Sequence, residues 1–427
     1  MRNFGNPTKA RVRETCGEIL PDGTIVDLVA GRTGDGLRLL RSHGKEEPFI
    51  GSTVSCGTIV YQAPTPHPSI LAAIRFPRGV SPYGTSAQLF QRMRGVYQKW
   101  LRWPEDSAVL MAIFALATWV PELLPISLTL CLLSLTPRQV FNLFAISAAL
   151  CRRALRTSQL SDRLPFFLHP ALLVADPLLK VEDCLFWSAV SIRGVHAPGA
   201  GGKLRELNVP KAIVLYDPDL VEAWGEEAIV VDAPVIEAPD LDDDLVAQIA
   251  EEFQPQLQQF RLDRLRNSRE LGAKSSRSAT SSLAQNLLAL VQEDPEIVQI
   301  LTRAFQARDE ELRRIRYRNP RIAIQSAVWD PAHREKEMGV TDIATRVTAI
   351  ARSLGGNGEW NARQIGWILR GLQMNTINSG SRKVLRFTDE VRSRILQYVR
   401  EFGLRLPFVE NCPYCKVLQP AEQESVK

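Results

Sequence analysis

Residues 128–135 read LTLCLLSL, an apolar run that leads through Thr136-Pro137-Arg138-Gln139 into a helical pattern extending to about Leu155. Strands without polar alternation are typical of a parallel sheet covered by helices on both faces. This run therefore predicts an α/β core. Similar runs recur at Ala171–Val174 (ALLV), Ala212–Tyr216 (AIVLY) and Ala228–Val231 (AIVV).

The regions on either side of this core predict further modules. Residues 1–82 alternate short apolar runs with turn signals, which indicates a small β-rich N-terminal module. The core is assigned to residues 83–238, and residues 239–330 follow as a helical region, or lid. Residues 336–408 have the order helix, turn, helix, hairpin, helix, which is typical of a winged helix. Residues 409–427 form a tail.

Composition excludes several protein classes. The chain has 427 residues, 45% of them hydrophobic and 23% charged, which argues against fibrous or wholly disordered proteins. Its seven cysteines are an odd number in a long chain and favour a reduced, cytoplasmic protein. The apolar pieces Ala108–Val120 and Ile126–Leu135 are each shorter than the roughly 20 residues of a spanning helix. We therefore expect a buried helix and a buried strand here, and no membrane partner.

Positive charge is concentrated towards the C-terminus. Thr341–Arg405 holds eleven Lys/Arg against five Asp/Glu, although the whole chain carries only +5. Such a bias is typical of a polyanion binder, here DNA. Winged helices that bind protein are an alternative. On a winged helix, we expect Asn361, Arg363, Gln364 and Arg370 to face a DNA groove and Arg382, Lys383 and Arg386 to contact phosphates.

The strand-to-helix junction is where nucleotide-binding folds place a phosphate loop, whose glycines let backbone N–H groups approach the phosphates. Residues 133–139 (LSLTPRQ) contain neither glycine nor lysine, and Pro137 removes an N–H donor. Arg138 stands near the place of the lysine, and Gln139 stands where a magnesium-binding Ser or Thr belongs. These two residues and Asp176 form a degenerate nucleotide site, so we expect no nucleotide cofactor and no catalytic residue.

Asp176 follows a predicted strand, as a magnesium-holding acid would. The next residue is Pro177, where a water-polarising glutamate would be expected, and an Asp-Pro turn is therefore the favoured interpretation. Residues 196–203 (HAPGAGGK) resemble a phosphate loop in composition, but no buried strand precedes them and a loop is expected. Cys412 and Cys415 form a single CxxC, which could bind a metal only if a partner supplied further ligands.

The order of these segments resembles a family of P-loop ATPase and helicase-like proteins of bacterial mobile elements and phages, whose members end in a winged helix. The resemblance implies an AAA+/RecA-like core with an intact phosphate loop, an acidic pair and an arginine ahead of the last core strand. Arg138-Gln139, Asp176-Pro177 and Glu226-Glu227 stand at those places, so this chain would be a degenerate member. The matching stretches are Ala117–Trp119, Leu150–Arg153, Val209–Ile213, Ala228–Val231, Ile249–Leu257, Phe260–Leu262 and Ile365–Leu372.

The sequence thus predicts a catalytically inactive, ATPase-like protein of a mobile element that binds DNA through its winged helix and is not an enzyme. Two alternatives stay open. The first is a structural subunit, as a homo-oligomer or in a ring with an active ATPase paralogue. The second is a working NTPase or helicase-like enzyme with an atypical phosphate loop.

Overall fold

The computed structural model describes residues 11–31, 36–44, 46–124, 126–133, 135–198, 204–217, 219–224, 228–232, 241–267, 287–305, 319–353, 359–401 and 404. The chain divides into two compact units, Met1–Arg308 and Asp309–Lys427. Each unit has hydrophobic clusters of its own.

The first unit begins with seven strands in two sheets. The antiparallel sheet β2-β3-β4-β5 lies beside a second sheet in the order β1-β7-β6. Residues 54–61, which looked like one strand in the sequence, form a hairpin, because Gly57 turns the chain with a φ of +60°. The strands are β1 (Arg11–Glu14), β2 (Gly17–Ile19), β3 (Ile25–Ala30), β4 (Leu37–Ser42), β5 (Phe49–Gly51), β6 (Thr53–Cys56) and β7 (Ile59–Gln62).

The rest of the first unit alternates helices and strands. Residues 287–289 and 295–305 are also helical. The named elements are α1 (Pro68–Ala73), α2 (Ser86–Leu101), α3 (Glu105–Ala117), β8 (Thr129–Leu133), α4 (Pro137–Leu150), β9 (Leu155–Thr157), β10 (Leu172–Val174), α5 (Val181–Ala189), β11 (His196–Pro198), β12 (Leu204–Glu206), β13 (Lys211–Val214), α6 (Leu220–Trp224), β14 (Ala228–Asp232) and α7 (Asp243–Arg266).

Five of these strands form a parallel sheet in the order β14-β8-β13-β10-β9, and β11 pairs with β12 in a separate hairpin. Both faces of the sheet are covered. Leu130 and Leu132 pack in one cluster with α2, α3, α4 and α7. Cys131 faces the other way, into a cluster with the N-terminal strands, α5 and α6. The predicted α/β class with a parallel sheet and helices on both sides is therefore confirmed.

One predicted boundary is wrong. Helix α4 ends at Leu150 and not near Leu155, since Cys151 is extended and Arg153 has a left-handed φ of 48°. The chain then forms the edge strand β9, which the sequence did not reveal. The break follows from tertiary contacts, because the side chains of Arg152 and Arg153 both bind a buried carboxylate of β3.

In its described residues, the second unit combines four helices with a small antiparallel sheet in the order β15-β17-β16. The apolar positions Ile343, Val347, Ile365 and Leu369 are fully buried, as their helical spacing predicts. The elements are α8 (Pro320–Arg334), β15 (Glu337–Gly339), α9 (Val340–Ser353), α10 (Ala362–Gly371), β16 (Thr376–Ser379), β17 (Arg382–Arg386) and α11 (Asp389–Glu401).

The apolar helix α3 is buried inside the first unit, where each residue from Ala108 to Ala117 packs in the core. Among the described residues, no helix combines the length and the apolar character needed to cross a bilayer.

Candidate functional site

The junction between β8 and α4 is closed by its own side chains. Thr136 is the N-cap of α4, and its hydroxyl accepts a hydrogen bond from the amide of Gln139 at 3.3 Å. The Gln139 side chain in turn accepts from the Thr136 amide at 3.0 Å. This capping box satisfies donors that a phosphate loop would present to its ligand. Arg138 lies exposed on the first turn of the helix.

Asp176 lies just after β10, where its carboxylate is engaged by the backbone. It accepts from the amide of Leu178 at 3.0 Å and from the amide of Leu160 at 3.3 Å. The side chain is buried in a local turn. The chain therefore forms the turn that the sequence predicted at Asp176-Pro177. Glu226 and Glu227, which the resemblance placed at the third altered position, lie outside the described residues.

The first unit contains a buried ionic cluster that the sequence analysis missed. Asp27 on β3 is fully buried, and one of its oxygens accepts from Arg152 at 2.9 Å and from Arg153. The other oxygen accepts from Gln258 at 3.1 Å and from Arg261 at 2.6 Å. Burial raises the pKa of Asp27, but the three guanidinium groups outweigh it and hold that pKa well below its usual range.

Arg261 extends this cluster to a second carboxylate. Its two terminal nitrogens each donate to an oxygen of Glu122 at 2.7 Å, in the bidentate geometry typical of strong arginine–carboxylate pairs. Burial opposes ionisation of Glu122, yet Arg261 lowers its pKa to about 2. The same guanidinium donates to the carbonyl of Trp119 at 2.7 Å.

The cluster joins four segments that are far apart in the chain. They are strand β3, the 3-10 turn that contains Glu122, the segment after α4, and helix α7. Two carboxylates face three arginines, and Nε and Nη1 of Arg152 have no hydrogen-bond partner among the described residues. Such an arrangement orients packed elements, and only Glu122, whose side chain is 39% exposed, reaches solvent among its carboxylates. Its sequence signal is Asp27 itself, one carboxylate inside the apolar strand IVDLVA, because a buried charge needs partners.

A second buried cation lies at the start of β13. The ammonium of Lys211 donates to the hydroxyl of Ser191 at 2.8 Å and to the carbonyl of Val209 at 2.9 Å. Burial lowers the pKa of Lys211 to about 7, because no carboxylate offsets the loss of solvation. Parallel pairing with β8 and β10 places Lys211 at the N-terminal end of the sheet. It therefore lies away from the β8–α4 junction.

In the second unit, the predicted DNA-binding side chains are exposed. Arg363 and Arg370 lie on α10, whereas Arg382 and Lys383 lie on β17. Arg370, Arg382 and Lys383 make no ion pair with a described residue. Arg363 lies over the ring of Trp367. Helix α10 contacts β16, which pairs with β17 through Ser379 and Arg382, so these cations lie on adjoining elements.

The other three predicted DNA contacts are partly engaged inside the unit. Asn361 is the N-cap of α10, and its oxygen accepts from the amide of Gln364 at 3.0 Å. The oxygen of Gln364 accepts from the amide of Asn361 at 3.1 Å. Arg386 lies 3.6 Å from Glu337, which partly offsets its charge. The side-chain nitrogens of Asn361 and Gln364 can still donate to a ligand, and so can the exposed guanidinium of Arg386.

A cleft of about 790 Å³ lies between the N-terminal strands, α4 and α7. Arg75, Arg78 and Arg156 line it together with several alanines, but Arg138, Gln139 and Asp176 do not. Across the part of the chain that the structure describes, no group of three or more His, Cys, Asp or Glu could hold a metal ion. Cys412, Cys415 and residues 199–203 lie outside that part. Residues His196–Pro198, where a loop was predicted, instead form strand β11, because they pair with β12.

No protein-family model matches the sequence, and no curated protein matches it. The function must therefore be argued from the two units themselves.

Proposed function

We propose that this chain is an ATPase-like protein without nucleotide hydrolysis that binds DNA through a winged helix formed by its second unit. The exposed cations on α10 and β17 carry the proposal, because Arg370, Arg382 and Lys383 have no ionic partner among the described residues. A basic, solvent-facing helix beside a basic hairpin suits contact with a phosphate backbone.

The order of elements supports a winged helix. In the second unit α8 precedes strand β15, then α9 and α10 precede the hairpin of β16 and β17. In winged helices the helix before the hairpin enters the DNA groove and the hairpin contacts the backbone. Here those elements are α10, with Arg363 and Arg370, and β17, with Arg382 and Lys383.

The sheet of the first unit supports descent from a nucleotide-binding core. Numbered by their order in the chain, the five parallel strands lie as 5-1-4-3-2, the arrangement of the AAA+ class. The junction after the first strand would bind the triphosphate in that class. The capping box of Thr136 and Gln139 there supports a core that has lost this ligand.

A salt titration tests DNA binding. We expect the wild-type protein to bind labelled duplex DNA with an affinity that falls steeply as salt rises. The double variant Arg382→Ala/Lys383→Ala should reduce the slope of log K against log salt by about 2, on all sequences alike. Arg156→Ala/Arg163→Ala, which removes two exposed arginines of the first unit, is the matched control. Unchanged affinity and slope in the wing variant would contradict the assignment.

A structural role in an assembly is a second candidate, favoured by an exposed apolar face. Leu178, Val181 and Leu185 are 77%, 48% and 55% exposed around α5, and Phe186 is 43% exposed. Apolar patches of this kind mark interaction sites. Sedimentation of wild type and Leu185→Glu, with Phe141→Glu as an exposed control on α4, tests it. An oligomer that only Leu185→Glu dissociates would support this role.

A working NTPase is the remaining alternative. It requires turnover of Mg²⁺-ATP by the purified protein, with loss of that turnover in Asp176→Ala. We expect no turnover in either protein, because the carboxylate of Asp176 already accepts two backbone hydrogen bonds.

A further inference from the structure

Among the described residues of the second unit, Trp367 is the most exposed large apolar side chain. It lies in the middle of α10 and is 64% exposed. The guanidinium of Arg363, one turn earlier, lies 5.5 Å from the centre of its ring. An exposed indole presents a flat apolar face on which an aromatic ligand can stack.

No other described segment covers the helix surface at the glycines beside Trp367. The space where a Cβ would lie at Gly366 or Gly371 has no atom of another described element within 4 Å. Arg370 is exposed on the next turn. A flat ligand can therefore reach the indole, with guanidinium groups close enough to contact a phosphate.

The amide side chains of the same helix are poorly placed to read adenine. Recognition of adenine by Asn or Gln needs both the oxygen and the nitrogen of the amide. In Asn361 and Gln364 the oxygens already accept the backbone amides of the capping box. Besides its arginines α10 offers an aromatic ring, and stacking on such a ring tolerates any base.

Building on the proposed function, we propose that the ligand is DNA with unpaired bases, at a fork, gap or bubble, and that one unpaired base stacks on Trp367. Arg363 strengthens the stack as a cation beside the same ring. Arg382 and Lys383 on the wing hold the phosphates of the adjoining duplex. Selection therefore depends on DNA structure and not on sequence.

Fluorescence anisotropy with the full-length protein tests this. The probes are a labelled duplex, the same duplex with a short central bubble, and a second pair of unrelated sequence. Wild type should bind each bubble about tenfold more tightly than its duplex. Trp367→Ala should abolish that preference, whereas Trp367→Phe should keep most of it. Phe141→Ala, which removes an exposed ring of the first unit, should behave as wild type.

The other outcomes distinguish failure of this inference from failure of the proposed function. Equal affinity for bubble and duplex, or a preference that survives in Trp367→Ala, overturns the inference. If duplex binding stays salt-dependent and still requires Arg382 and Lys383, the proposed function holds nonetheless. If no DNA form binds even at low salt, both the proposed function and this inference fail.

Discussion

At the scale of single residues, Asp27 has the largest energetic consequence. Its two oxygens accept from Arg152, Arg153, Gln258 and Arg261 in a site from which water is excluded. Surface ion pairs contribute little to stability, but removal of one partner from a buried cluster leaves uncompensated charge.

Asp27→Asn should therefore lower the free energy of unfolding by about 3–5 kcal/mol. Urea denaturation followed by circular dichroism measures this loss. Asp162→Asn, at an exposed position, is the control and should change stability by less than about 0.5 kcal/mol. A loss in Asp27→Asn no larger than the control's would show that the cluster does not hold the unit together.

The same cluster predicts a dependence on acid. A carboxylate with a lowered folded-state pKa stabilises the protein above its unfolded pKa of about 4, and this contribution is lost as pH falls towards the folded value. The pKa of Asp27 is well below the usual range and that of Glu122 is about 2. The stability difference between wild type and Asp27→Asn should therefore shrink as pH falls from 5 to 3. A constant difference would contradict the ionised pairing.

Lys211 predicts a rise in stability with pH in a higher pH range. With a folded-state pKa of about 7, it is neutral above that pH in the folded protein, whereas an unfolded lysine stays charged to about pH 10. The unfolded chain then binds more protons, so stability rises with pH, by up to about 1.4 kcal/mol per unit.

Lys211→Met should remove this rise. Stability measured by urea denaturation at pH 7 and 8.5 should increase in wild type relative to the variant. Other titrating groups are common to both proteins and cancel in the comparison. Parallel pH profiles would show that Lys211 stays charged in the fold.

At the scale of elements, the sequence pattern predicted the strands that form because their own residues are apolar and buried. The uninterrupted apolar runs identified β8, β10, β13 and β14, since a buried strand cannot carry polar alternation. Edge strand β9 was missed, because α4 ends where Arg152 and Arg153 turn to Asp27, more than a hundred residues away in sequence. Ion pairs between residues so far apart in the chain leave no local pattern in the sequence.

The β8–α4 junction was only half predicted. The missing glycine and lysine were visible in the sequence, and so was the proline. The reciprocal capping by Thr136 and Gln139 was not foreseen, although Thr-x-x-Gln before an apolar helix is a capping-box signal. The prediction rested on the glycine and lysine that a phosphate loop needs, whereas Thr136 and Gln139 bond to each other.

Thr136→Ala tests this junction. Loss of the cap should lower the free energy of unfolding by about 1 kcal/mol. Thr85→Ala removes the equivalent residue from the capping box of α2 and should cost a similar amount. Neither variant should bind ATP. Mg²⁺-dependent ATP binding that appears or disappears with Thr136 alone would contradict a purely structural junction.

At the scale of the whole molecule, the chain separates a closed α/β core from a basic second unit. The sequence predicted the apolar core and the basic C-terminal region, because each is a property summed over many residues. It did not predict that the N-terminal strands share a hydrophobic cluster with the parallel sheet, or that Asp27 links them to α7. Those contacts depend on the assembled fold.

DNA affinity across a salt series, with and without Mg²⁺-ATP, tests the account most directly. A closed junction in one unit and a basic surface in the other predict strong, salt-dependent binding that ATP leaves unchanged at every salt concentration. A shift in DNA affinity when Mg²⁺-ATP is added would contradict the account, since it would require a nucleotide site that still couples to DNA.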